Sequence, residues 1–91
     1  MKYFDWNIQK NQKLKQERNI SFEQALIAIE EGDILDIVEQ PTSSKHPNQE
    51  IFIININNYA YLVPFVEDKE KVFLKTIIPS RKATKKYIIK K

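Results

Sequence analysis

Ile51-Phe52-Ile53-Ile54-Asn55-Ile56-Asn57-Asn58-Tyr59-Ala60-Tyr61-Leu62-Val63 is the stretch that decides the fold. Its first six residues are apolar on both faces of an extended chain, the mark of a central strand covered on both sides. Asn57-Asn58 tolerates positive φ, so the chain is expected to turn back as a hairpin into Tyr59–Val63. Pro64 follows at once. It has no N–H to give a ladder, so a bulge or an edge-facing site is expected there.

Toward the C-terminus, Glu67-Asp68-Lys69-Glu70 reads as a second turn and Val72 to Ile78 as a last strand, with Lys75 on one face with Phe73 and Ile77. Pro79-Ser80 breaks that strand and a short helix is expected from Arg81. Toward the N-terminus, Pro41 to Asn48 is a polar loop with two prolines, carrying the single His46. Ile34 to Glu39 can begin as a helical remnant, but its β-branched content favours a strand. Before it, Ser21-Phe22-Glu23-Gln24 is a capping box, with Ile20 and Ala25 as a small hydrophobic staple. Phe22, Ala25, Leu26 and Ile29 form an apolar stripe at helical spacing, and Gly32, the only glycine, stands where a helix ends with positive φ. A first helix over residues 7 to 17, capped by Asp5 or Asn7 and stopped at Asn19, has only Ile8 and Leu14 as apolar content and must lean on something else. Tyr3-Phe4-Asp5-Trp6 is either a short edge strand or a segment that docks Trp6 into the core.

The expected architecture is therefore α+β: two N-terminal helices packed on an antiparallel meander of three or four strands, with a short C-terminal helix. At 91 residues it reads as a single domain, 1–91. The chain has no Cys, which removes disulfides and zinc-thiolate sites. No apolar run approaches the roughly 20 residues a spanning helix needs. The start lacks the apolar stretch of a secretory signal. A cytoplasmic protein without cofactor, metal or membrane attachment is the expectation.

Charge is divided unevenly. Residues 71 to 91 hold eight Lys/Arg and no acid, whereas residues 1 to 70 hold seven basic and all twelve acidic residues. The net charge of +3 is thus a tail of +8 on a body of −5. Arg81 and Lys82 would occupy the first turn of the last helix, where cations oppose the helix dipole. That placement makes sense if an anion sits at the strand-to-helix junction, where backbone N–H groups are free. Arg81 is the leading candidate because its fork holds two phosphate oxygens at once. Lys82, Lys86 and Lys90 form an i, i+4, i+8 stripe with Lys85 beside it, suited to tracking a phosphate backbone. The alternative is a merely solvated face. Lys75 either snorkels to a rim or points into a groove with Tyr61, whose ring would suit stacking on an unpaired base. His46 is the one side chain that titrates near neutrality.

Phe4-Asp5-Trp6, then Ile20-Ser21-Phe22-Glu23-Gln24-Ala25, then Ile77-Ile78-Pro79-Ser80-Arg81-Lys82-Ala83-Thr84, taken in that order, resemble the BrnT family of type II toxins. Those proteins open with phenylalanine-acidic-tryptophan. They continue with a serine-phenylalanine-acidic helix and end in an isoleucine-pair, arginine-lysine-alanine-threonine motif. The resemblance implies a RelE-like ribonuclease fold, growth arrest by RNA cleavage, and neutralisation by a ribbon-helix-helix antitoxin. DNA would be contacted only through the toxin–antitoxin complex. Carried over by position, Arg81 matches the motif arginine and Lys82 the basic residue after it. Tyr87 or His46 would then assist proton transfer. Two positions depart from the pattern: Glu50-Ile51 offers no basic side chain, and Thr76 stands where the family has arginine. A non-enzymatic basic module that binds nucleic acid or an acidic partner is the alternative reading.

Overall fold

A two-residue type I′ hairpin turn needs two consecutive residues with positive φ, and Asn57 and Asn58 supply them at φ 54° and 64°. The computed structural model describes residues 2–39 and 49–89. His46 and Lys90, with the rest of the expected loop from Pro41 to Asn48, lie outside them. In chain order the elements are β1 (Tyr3–Trp6), α1 (Ile8–Arg18), α2 (Phe22–Glu30), β2 (Ile34–Glu39) and β3 (Gln49–Ile56). They continue as β4 (Tyr59–Glu67), β5 (Lys71–Leu74), β6 (Ile78–Pro79) and α3 (Arg81–Ala83), which runs on as a π-helical segment, Thr84–Ile89.

Local signals set the helix ends. The Asn7 side chain accepts the Lys10 N–H at 2.9 Å, and Asn19 ends α1 in the left-handed region at φ 58°. Ser21 and Gln24 close the capping box of α2 at 3.2 and 3.0 Å. Gly32, at φ 84°, turns the chain out of α2. The thinly apolar α1 puts Leu14 into the main core and adds polar contacts. Buried Asn11 accepts the Phe22 N–H at 2.8 Å and donates to Glu23 Oε1 at 2.8 Å, fixing α1 to the first turn of α2.

The strands form one mixed sheet in the order β1-β5-β4-β3-β2, with β6 also paired to β4. The expected antiparallel meander is present as β2-β3-β4-β5. It is extended by β1, which pairs parallel with β5. Tyr3–Trp6 is thus an edge strand and also drops Trp6 onto Phe22, ring centres 5.6 Å apart.

The last strand departs from expectation. Phe65 pairs with Leu74 and Leu62 with Ile78, so Pro64 and Val63 face Lys75, Thr76 and Ile77. Three residues oppose two, which is a β-bulge. The Lys75 N–H donates to Pro64 O at 2.8 Å, so the side of Pro64 that lacks an N–H faces the bulge. The extra residue resets the alternation. Ile77 joins Val72 and Leu74 in the main core, and Lys75 keeps Phe73 but loses Ile77 as a neighbour on its face.

The helices cover both faces of the sheet rather than one. On the first face, α1 and α2 close over Phe52, Ile54, Val63, Phe65, Leu74 and Ile77. The fully buried Phe22, Ile54, Val63, Leu74 and Ile77 each contribute about 1.5–3 kcal/mol by burial. On the second face the C-terminal helix packs Ala83, Tyr87 and Ile88 on Ile53, Ala60, Leu62, Leu35 and Val38. This double cover explains why β3 is apolar on both sides. No helix among the described residues is long and apolar enough to cross a membrane.

Candidate functional site

The strand-to-helix junction is tied to one residue of β4. Ser80 N–H donates to Ala60 O at 3.0 Å, and Ala60 N–H donates to the Thr84 hydroxyl at 2.9 Å. That hydroxyl donates in turn to Ser80 O at 2.8 Å, while Ser80 Oγ caps the helix by accepting the Ala83 N–H at 3.1 Å. Ala83 and Thr84 are buried. The Ser80, Ala60 and Thr84 groups at the joint satisfy one another, so the start of the helix is held in one orientation. The Ser, Ala and Thr of the terminal motif therefore anchor. Its Arg81 and Lys82 are exposed, as are Lys85 and Lys86 further along.

Among the described residues, Arg81, Lys82 and Lys85 take no part in an ion pair. Lys75 stands on the same sheet face as the helix, exposed, its ammonium 3.4 Å from Gln49 Oε1. The backbone tethers of Lys75 and Ser80 fall on Pro64 and Ala60, four residues apart on β4. At strand rise this is roughly 13 Å, so Lys75 and Arg81 flank a length of sheet that an extended polyanion can follow.

Tyr87 is engaged. Its hydroxyl donates to Asp36 Oδ2 at 2.8 Å, latching the C-terminal helix to β2. A bulge between Ile34 and Asp36 brings that carboxylate onto the second face. The bond from the Tyr87 hydroxyl, then the Ile37 amide and the nearby Lys86, holds the Asp36 carboxyl below its ordinary range. The same bond raises the phenol above its own. Tyr87 thus holds its proton more tightly than a free phenol, and that proton is directed at Asp36. The Lys86 ammonium lies 5.2 Å from the Tyr87 ring centre.

Tyr61 does not meet Lys75. Its neighbours Ala60 and Leu62 face the C-terminal helix, so alternation sends Tyr61 to the first face, where it packs on the core and against Tyr59 at 5.6 Å. The expected groove shared by Lys75 and Tyr61 is not formed. The aromatic residues on the face of Lys75 near the β1–β5 edge are Phe73, expected beside Lys75 from the sequence, and Tyr3, which was not. The alternation of Tyr3 and Asp5 against Phe4 and Trp6 is the signal that could have found Tyr3. Among the described residues no cluster of three His, Cys, Asp or Glu could hold a metal ion.

Fold and site together define an α+β domain with a cationic helix pinned across one face of a mixed sheet. Comparison with family models, with curated proteins and with solved structures gives no match to this chain.

Proposed function

We propose that the protein is a growth-inhibiting toxin of the BrnT kind, with a RelE-like arrangement of its elements, that cleaves RNA without a metal. One observation carries the reading. Arg81 and Lys82, free of ion pairs among the described residues, project from a junction whose other motif residues are fully hydrogen-bonded. Cations held in place without carboxylate partners are disposed to meet an anion that arrives from outside. The RNA's own 2′-hydroxyl attacks the adjacent phosphorus, the bond to the 5′-oxygen breaks, and a 2′,3′-cyclic phosphate and a 5′-hydroxyl result. Arg81 and Lys75 neutralise the charge that builds on the phosphoryl oxygens. Lys82, Lys85, Lys86 and Lys90 carry the flanking backbone. Tyr87 can give a proton to the leaving oxygen only once its hydroxyl is released from Asp36. His46, the chain's one imidazole, is suited to take the proton from the 2′-hydroxyl. A ribbon-helix-helix antitoxin neutralises the toxin in the cytoplasm, and DNA is bound only through that complex.

The test is inducible expression of wild type against Arg81→Ala. Growth arrest is expected to vanish while circular dichroism and thermal unfolding stay unchanged. Full arrest by the folded variant eliminates the role of Arg81. A second reading, a non-enzymatic basic module, is favoured by the commitment of the Tyr87 hydroxyl to Asp36, which occupies the proton that the first reading would deliver. Purified protein incubated with total RNA separates the two. New RNA termini that depend on Arg81 support the enzyme, and retention without cutting supports the module.

A further inference from the structure

The C-terminal helix covers only part of the second sheet face, and the remainder carries aromatic rings between cations. Parallel pairing of β1 with β5 sets Tyr3 opposite Lys71 and Asp5 opposite Phe73. Phe4, Trp6, Val72 and Leu74 fill the core side, so Tyr3, Asp5, Lys71 and Phe73 stand together on the other. Tyr3 is 58% exposed. Phe73 is half-buried, and the Lys71 ammonium lies 5.6 Å from its ring centre. Two acids stand by Lys71 at this end: Asp5, 3.4 Å from its ammonium, and Asp68, which accepts the Lys71 N–H at 2.9 Å. Lys75 continues the strip toward Arg81 and Lys82. Pro64 and Val66 of β4, half-buried, floor it.

The order of groups is Tyr3, Lys71 with its partner Asp5, Phe73, Lys75, then the arginine and lysine of the helix. A polyanion alone needs only the cations. Rings displayed beside them suit a partner that alternates flat π-faces with negative charge, and an unpaired nucleic-acid strand does so. A duplex hides its base faces and cannot use the rings. We propose that this strip is a platform for single-stranded RNA, with bases stacked on Tyr3 and Phe73 and the backbone led past Lys75 to Arg81. The proposal rests on the RNA reading above and adds the strandedness of the substrate and two residues that bind it.

The experiment is fluorescence anisotropy of the full chain with a labelled, fully 2′-O-methylated single-stranded RNA. That probe cannot be cut, so binding is read whether or not the protein cleaves. Tyr3→Ala and Phe73→Leu are the variants, the leucine keeping the buried volume apolar. Each is expected to weaken binding by roughly five- to hundred-fold. Each should leave the slope of log affinity against log salt unchanged, because no phosphate contact is lost; Lys75→Ala should lower that slope. The same sequence as a duplex is expected to bind more weakly and to ignore the ring variants. Wild-type affinity in both folded ring variants overturns the proposal. So does a duplex bound as well as the single strand. Competition by polyglutamate that depends on the two rings also overturns it, and marks the strip as a protein interface instead.

Discussion

Replacing Thr84 by Val tests the joint that fixes the cationic helix. The two side chains are close in shape, so the change removes a hydroxyl and little else. In wild type that hydroxyl accepts the N–H of Ala60, a residue with 0% exposure, and donates to Ser80 O. Ser80 O keeps the Thr84 N–H at 3.0 Å, but the Ala60 N–H is left buried without an acceptor. An orphaned buried donor costs about 1–3 kcal/mol. The added methyl recovers at most ~0.8 kcal/mol by burial. Taking the middle of that range, about 2 kcal/mol, the net expectation is a loss of about 1–2 kcal/mol, which in a domain of this size lowers Tm by roughly 4–16 °C. Urea unfolding followed by Trp6 fluorescence reads the loss, since Trp6 stacks on Phe22 in the core on the opposite face. Thr84→Ser, which keeps the hydroxyl, is expected to retain most of the stability. A valine variant within about 0.5 kcal/mol of wild type would falsify the assignment of Thr84 as the pin.

Two further outcomes follow from the same kind of reasoning. Asn11→Ala strands the buried Phe22 N–H and frees Glu23 from its donor, so a loss of about 1–3 kcal/mol is expected, read by chemical denaturation; an unchanged midpoint refutes the polar lock between α1 and α2. Tyr87→Phe removes the latch to Asp36, and the stability difference from wild type should depend on pH at both ends. The Asp36 carboxyl is held below its ordinary value of 3.8, so its contribution is present above that pH and is lost as pH falls through the lower folded value. The phenol is held above its ordinary value of 10.0, so its contribution is present below that pH and is lost as pH rises past it. Guanidinium titrations at several pH values should therefore show a plateau in the middle and convergence of the two proteins at the extremes. A pH-independent difference argues that Tyr87 acts by packing alone.

What was legible in the chain is what a few neighbouring residues decide. Asn57-Asn58, Asn19 and Gly32 declare positive φ, and Ser21 with Gln24 declares a helix start, because each depends on its own backbone and side chain. Pro64 announces an interrupted ladder for the same reason, since the missing N–H is a covalent fact. The position of Arg81 and Lys82 at the start of the last helix also follows from the sequence pattern, whereas the anchoring of that helix by Ser80 and Thr84 on Ala60 joins distant segments. The remainder was settled by contacts between distant segments. Parallel pairing of Tyr3–Trp6 with Lys71–Leu74 joins the two ends of the chain, and nothing local in either strand specifies its partner. The bulge at Lys75–Ile77 reverses which side chains reach the core, and a single inserted residue is invisible to a period-two pattern. The division of the helices between two faces sends Tyr61 into the core and leaves Tyr3 and Phe73 beside the cations. Alternation along a strand states which residues share a face; only the packed helices decide which of the two faces is covered and which is left to meet a ligand.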